Sequence, residues 1–314
     1  AMIPNVAFTL FPVVDYKTFC RSHFNDGPVG IYQVGVVWML RGVAHLLLYR
    51  LLYQNFLVDP STAATTGDVV QYVLTTFFLY LRISGTFHLI IGLLHMFGFN
   101  LPETHHLYFL SSSFTAFWRR INIYWKDFIM KLVFYPVYFR IRKIGETRAM
   151  VIASLIAFVA TWLLHSYQWF WIRGRFPITW QDLVFWMGLA VLVVINMQWE
   201  TRAGRERRLT PKKRTLRAEL GLAARAVSTF AFICLLWTVW STPSSSDLET
   251  LLRAAINVDR RGALMLILVP LIIGLAAVLM GRREREHTEG KRSAAAVKPF
   301  HFWDSAPRAG VFAN

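Results

Sequence analysis

The sequence carries little charge and almost no cysteine. Of its 314 residues, 17% are Asp, Glu, Lys or Arg, whereas soluble domains carry about a quarter. The two cysteines, Cys20 and Cys234, are too few for a disulfide framework. Hydrophobic residues make up 55% of the chain, which excludes a disordered chain and exceeds what one soluble core of this size can bury. The composition therefore predicts an all-α, polytopic protein of the cell membrane, surrounded by lipids.

Acidic residues are also scarce, with 18 Asp and Glu against 34 Lys and Arg and a net charge of +16. A nucleic-acid-binding protein would carry such cations on a polar face or arm. Here they cluster at the ends of long apolar runs, where the positive-inside rule places them. The pattern argues against nucleic acid as a partner.

Four apolar runs in the second half are each close to the ~20 residues that a helix needs to cross a bilayer. They are residues 149–171, 180–199, 220–240 and 263–280. The loops around them alternate, with seventeen basic residues on one side and five on the other. We predict that the basic side is cytoplasmic.

The first half is less regular, because its apolar runs contain ionisable side chains. The run 31–57 contains three of them, Arg41, His45 and Arg50. The run 69–101 is too long for one straight span, and we expect a break near Ser84–Gly85. Ionisable groups at membrane depth usually face a protein interior or a water-filled cavity. This half is therefore predicted to line something polar.

Residues 114–139 form an aromatic run crowded with cations. They predict an amphipathic helix at the cytoplasmic interface, then an in-plane or re-entrant segment kinked at Pro136. The chain thus divides into a polar-lined helical region at 1–140, transmembrane helices at 141–281 and a basic cytoplasmic tail at 282–314. It starts abruptly in Pro- and Phe-rich sequence without a secretory signal peptide, so we expect upstream helices to be missing.

The strongest candidate for chemistry is His165, an ionisable residue inside an otherwise unbroken span. A neutral imidazole can take or give a proton near neutral pH. Helical spacing places Trp162 and Thr161 on the same face, which suits a cavity wall. The alternative is a packing histidine that hydrogen-bonds another helix, and both interpretations stay open.

A second candidate lies in the aromatic run. At helical spacing Trp118, Asn122 and Trp125 share one face, and nearby cations could meet lipid headgroups or an anionic ligand. These cations are Arg119, Arg120 and Lys126. The alternative is an interfacial anchor with no ligand.

Four histidines invite comparison with a metal site, namely His88, His95, His105 and His106. We expect no close carboxylate or cysteine to join them, and a structural zinc site needs four ligands at tight spacing. No metal site is therefore predicted, and these side chains are expected to line a cavity or form hydrogen bonds.

Three linked motifs resemble the membrane-bound O-acyltransferase family, in its bacterial branch of alginate O-acetyltransferases and teichoic acid D-alanyl transferases. The motifs are Leu81–Gly92, Phe97–Glu103 and Ser113–Asn122, and the likeness covers about residues 75–172. The resemblance implies a helical core with in-plane or re-entrant segments. His165 resembles the family's embedded histidine, Asn122 takes a position of His or Asn, and His88 replaces the usual Asp.

The resemblance also implies roles for these residues. His165 would act as general base on an acceptor hydroxyl, and Asn122 would bond the reacting carbonyl or hold the imidazole tautomer. The substrate-binding residues would be Trp118, Arg119, Arg120, Lys126, Trp162 and His88, with the cations on the donor's phosphates.

The resulting hypothesis is a bacterial inner-membrane O-acyltransferase. It would move an acyl group, such as acetyl, from acyl-CoA or another cytoplasmic thioester to a hydroxyl of a glycan or cell-envelope acceptor. No tightly bound cofactor is expected, and other membrane or periplasmic subunits are candidate partners. One alternative is a non-catalytic relative within a larger membrane complex. The other is a transporter, although the sequence shows no inverted repeats.

Overall fold

A computed structural model describes residues 14–174, 176, 178–207 and 215–296. Three regions discussed above lie outside the described residues. They are the start of the chain at 1–13, the middle of the basic loop at 208–214 and the end of the predicted tail at 297–314.

The described residues form twelve α-helices, and a long loop at 97–113 joins the fourth helix to the fifth. In chain order they are α1 (Tyr16–Ser22), α2 (Pro28–Phe56), α3 (Thr66–Phe77), α4 (Leu79–Met96), α5 (Phe114–Arg120), α6 (Ile123–Ile129), α7 (Tyr135–Ile141), α8 (Glu146–Arg173), α9 (Trp180–Arg207), α10 (Leu216–Ser241), α11 (Ser245–Ala255) and α12 (Arg260–Ala296).

Six helical stretches within the described residues are long and apolar enough to cross a membrane. They correspond to α2, the α3–α4 pair, α8, α9, α10 and α12. The predicted all-α, multi-pass architecture is confirmed, and so are the four spans predicted in the second half. Helix α12 continues to Ala296, so the predicted tail begins as a helix.

Helices α2 and α4 form an antiparallel pair in which glycines let the two backbones approach. A Cβ atom on Gly42 would lie 2.8 Å from the carbonyl oxygen of Gly85, and one on Gly92 would lie 2.7 Å from that of Gly35. Both separations are too short for a side chain, so only glycine fits at these positions. This contact holds His88 of α4 next to His45 of α2.

The predicted break near Ser84–Gly85 is wrong. The helix is interrupted at Phe78, between α3 and α4, whereas Ser84 and Gly85 lie inside α4 and are buried. Gly85 is needed for the close contact with α2, not for a turn. A glycine in an apolar run is found either at a bend or at a close contact between two helices. Which of the two applies depends on whether another helix packs against that position.

The predicted amphipathic helix over 114–139 is interrupted at Asn122, whose φ of 40° is left-handed. The helical spacing that placed Trp118, Asn122 and Trp125 on one face therefore does not apply. Beyond Asn122 the backbone stays helical through α6 and α7, with a π-helical turn at Met130–Phe134 just before Pro136. Proline cannot donate to the preceding turn, and the wider π turn accommodates it.

An aromatic cluster joins the second half of the chain to α3 and α4. Helix α10 packs against α3, α9 and α12, and the indole N–H of Trp237 donates to the carbonyl oxygen of Thr76 at 2.9 Å. The rings of Tyr80 and Trp237 lie 4.5 Å apart, centroid to centroid. These contacts position α3 as one wall of the cavity described next.

Candidate functional site

His165 lies on α8 between two indole rings. Its ring centroid is 5.0 Å from that of Trp125 and 4.9 Å from that of Trp186. Its Nδ1 lies 2.8 Å from the carbonyl oxygen of Thr161. Because a carbonyl oxygen can only accept, Nδ1 carries the proton and Nε2 keeps the lone pair in the neutral ring. The tautomer suits proton acceptance at Nε2.

The face of α8 around His165 points into the protein. Thr161 is fully buried and its hydroxyl donates to the carbonyl oxygen of Ala157. Trp162 packs on the aromatic cluster, and its indole N–H is buried without a hydrogen-bond partner in the part of the chain described. Trp162 therefore packs mainly against protein.

Asn122 caps α6: its side-chain oxygen accepts the backbone N–H of Trp125 at 3.1 Å. The side chain thus holds the segment whose ring packs edge-on against His165. Asn122 and His165 are linked through Trp125, and the hydrogen bonds found for their side chains go to backbone atoms. Their assigned catalytic roles stay predictions.

The side chains predicted to bind substrate in this region are dispersed around the break at Asn122. Trp118 packs against Phe158 with ring centroids 4.5 Å apart. Arg119 is exposed, and the ammonium group of Lys126 pairs with Asp127 at 2.6 Å. The backbone carbonyl oxygen of Arg120 accepts the N–H of His106 at 3.0 Å. That last bond ties this segment to the loop between α4 and α5.

A cavity of about 660 Å³ lies beside that loop. Neither His165 nor Asn122 is among its described lining residues. Helices α2, α3, α4, α10 and α12 contribute apolar side chains, including Leu48, Phe77, Leu81, Phe230, Val269 and Ile272. Its polar side chains include Arg41, His45, His88, Glu103, His105 and His106. Of the three ionisable residues predicted inside the run 31–57, Arg41 and His45 line this cavity, whereas Arg50 lies elsewhere and is exposed.

Glu103 is at the centre of the polar group. Its carboxylate accepts from the Arg41 guanidinium at 3.1 Å and from His106 Nδ1 at 2.8 Å. His88 Nε2 lies 4.0 Å from the same carboxylate. The expectation that no carboxylate joins these histidines is wrong, because the loop after Pro102 folds Glu103 toward α2 and α4. The contact could have been predicted from the sequence, because Glu103 and His106 are only three residues apart.

Two buried imidazoles line the cavity without complete hydrogen bonding. His88 is 2% exposed and stacks on Trp38 with ring centroids 4.9 Å apart, and its two nitrogens have no hydrogen-bond partner within the described residues. The same holds for Nδ1 of His105, which lies in the loop. Burial lowers the pKa of His105 to about 3, so its ring is neutral at pH 7.

The other two histidines near this region bond within the protein. His45 Nδ1 lies 3.0 Å from the hydroxyl oxygen of Ser84, and its ring centroid is 5.2 Å from that of His88. His95 is fully buried, and its Nδ1 donates to the carbonyl oxygen of Ile91 at 2.8 Å. Within the described residues, no three His, Cys, Asp or Glu side chains are arranged to hold a metal ion.

The arrangement can perform proton transfer beside an apolar chamber. A carboxylate that accepts from one imidazole nitrogen orients the ring and raises the basicity of the other nitrogen. The chamber has the size of an ordinary ligand site, about 300–1,000 Å³. No protein-family model matches this sequence, and no curated protein is detectably similar to it.

Proposed function

We propose that this chain is a membrane-bound acyltransferase that moves an acyl group from a thioester to a hydroxyl. The supporting observation is the cavity, in which the Glu103–His106 pair lies beside an apolar chamber. Acyl transfer needs a base for the hydroxyl and an apolar site for the acyl group, and the cavity supplies both. The motif resemblance around Leu81–Asn122 favours the same chemistry.

The base in this mechanism is His106. Its Nδ1–H donates to Glu103, which fixes the neutral tautomer in which Nε2 is the proton-accepting atom. The oxygen attacks the thioester carbonyl, so that a C–O bond forms and the C–S bond breaks. The imidazolium then returns its proton to the departing thiolate. The Glu103 carboxylate stabilises the transient positive charge.

The donor is proposed to approach from the cytoplasm. Met280 lines the cavity and lies at the end of the α12 span that precedes a basic stretch at 281–292. On the orientation predicted from the charged loops, that end faces the cytoplasm, where acyl-CoA is found. From the family resemblance we propose acetyl as the acyl group, a glycan or envelope hydroxyl as acceptor, and a bacterial inner membrane as the location.

The decisive experiment compares His106 with His165. Membranes that contain the chain are incubated with labelled acetyl-CoA, and label is measured in the lipid and glycan fractions. His106→Ala should lower transfer by about 10²–10⁴-fold, the usual effect of losing a general base. His165→Ala tests the assignment made from the sequence, and the matched control is His23→Ala, at an exposed position outside the cavity lining.

If only His165→Ala lowers acyl transfer, His165 on α8 is the base, and the proposed role of His106 is contradicted. If both variants stay within threefold of the parent, neither histidine is the base. Equal protein levels in the membrane fraction are required for each variant.

One observation favours the alternative of a non-catalytic relative. The His165 ring is packed between two indoles, and the Asn122 side chain caps a helix, as structural residues do. A chain of this kind would show no transfer above membranes that lack it, yet would co-purify with partner subunits.

A further inference from the structure

The cavity lies between two spans that both face the bilayer. Helices α2 and α12 each pack against α3, and both contribute side chains to the lining. Leu48 on α2 is 47% exposed and Ile272 on α12 is 61% exposed, yet both line the cavity. In a membrane protein, such exposed apolar side chains on spanning helices meet lipid tails. The wall of the cavity on this side is therefore formed by side chains that also face the bilayer.

The polar end of the cavity offers unused hydrogen-bonding groups. His88 and His105 are 2% and 4% exposed, and three of their ring nitrogens are buried without a partner within the described residues. Leaving such groups unpaired costs about 1–3 kcal/mol each. A neutral imidazole has one donor and one acceptor, and a hydroxyl group can serve both.

The charges at this end are balanced. Among the described lining residues, Arg41 is the one with a permanent positive charge, and Glu103 already neutralises it at 3.1 Å. A phosphate head would need uncompensated cations to leave water. An uncharged head with hydroxyl groups needs none.

We infer that the cavity binds a membrane-borne amphiphile with an uncharged, hydroxylated head, which enters between α2 and α12. The hydroxyls bond His88 and His105, and the tail lies along the apolar side chains of α3 and α12. Resting on the proposed function, this makes the acyl acceptor a lipid rather than a soluble glycan.

The test measures binding without any acyl donor. Purified protein in phosphatidylcholine nanodiscs is titrated with radiolabelled monooleoylglycerol, and separately with oleoyl lysophosphatidic acid, which has the same tail and a charged head. We expect saturable binding of monooleoylglycerol and at least tenfold weaker binding of the phosphate lipid.

Matched variants locate the site. Val269→Trp fills the cavity from α12 and should weaken monooleoylglycerol binding at least tenfold. Leu271→Trp, two residues away, 62% exposed and not a lining residue, should change it less than twofold. His88→Phe keeps a ring on Trp38 but removes both nitrogens, and should also weaken binding tenfold.

Equal binding of the two lipids, or no effect of Val269→Trp, would overturn the inference. Its failure is separable from failure of the proposed function. Binding of monooleoylglycerol without acyl transfer would support the inference and contradict the proposed enzymatic function. Transfer to a soluble glycan without monooleoylglycerol binding would support the proposed function and contradict the inference.

Discussion

At the scale of single residues, Glu103 organises the candidate site. Its two carboxylate oxygens serve different partners, Arg41 at 3.1 Å and His106 at 2.8 Å. The Glu103 side chain is 23% exposed, so water screens these pairs only in part. One acidic side chain thus balances a cation and orients an imidazole.

His105 should make stability depend on pH. Its folded pKa of about 3, lowered by burial, lies below the ~6.5 of an unfolded histidine. Between these values the unfolded chain binds more protons, so stability falls as the pH falls from about 6.5 toward 3. The loss at pH 5 should be about 2 kcal/mol, measured by denaturant unfolding in detergent.

The control for this effect is His105→Gln, which keeps a polar side chain but does not titrate. Its loss of stability between pH 7 and 5 should be smaller than that of the parent by the same amount. Identical pH slopes for parent and variant would show that His105 is not buried as described.

At the scale of helices, the α2–α4 pair is what brings the polar residues together. Arg41 and His45 lie on α2, and Ser84 and His88 on α4. The two helices meet along glycines spaced seven residues apart on each, Gly35 with Gly92 and Gly42 with Gly85. Since the side chains that bond across the pair depend on that separation, packing and site are coupled.

Because α2 and α4 are in such close contact, a single added methyl group should lower the stability of the protein. In Gly92→Ala the new Cβ would lie 2.6 Å from Met39 Cγ and 2.7 Å from the Gly35 carbonyl oxygen. Such overpacking typically costs about 1–3 kcal/mol. The measurement is the free energy of unfolding in detergent.

The matched control is Gly30→Ala on α2, where a new Cβ meets nothing within 4 Å. This change should be neutral or stabilise the helix by up to about 1 kcal/mol. Equal effects of the two substitutions would contradict the close approach of α2 and α4.

At the scale of the whole molecule, the six spans and their charged loops predict an orientation. The loops at 140–148, 200–218 and 281–292 are rich in Lys and Arg and are expected in the cytoplasm. The loop at 242–262 should then face the other side. This orientation places the Met280 end of the cavity toward the cytoplasm.

Labelling of single cysteines tests the orientation. In a chain without Cys20 and Cys234, Ser246→Cys should react with a membrane-impermeant maleimide in intact cells. Arg283→Cys should react only after permeabilisation. Both positions are exposed in the structure, so failure to react cannot come from burial. The reverse pattern would invert the topology and the proposed side of the donor.

The sequence by itself determined which segments are long and apolar enough to cross a membrane, because that property depends only on about twenty consecutive residues. It also singled out Arg41 and His45, since ionisable groups inside apolar runs usually face a cavity, and both line the cavity described above. Serine is a preferred residue at a helix N-cap, and Ser113 caps α5 by accepting from the Ala116 N–H at 3.1 Å. These features depend on local composition.

Only the tertiary structure decided which ionisable residues share a cavity. Glu103 contacts Arg41, which lies 62 positions earlier in the chain. A sequence pattern does not show that two residues so far apart meet in space. The tertiary structure also decided whether Gly85 bends a helix or meets another one, and whether Asn122 continues a helix or ends it. Such choices depend on contacts between segments far apart in sequence, where packing competes with local preference.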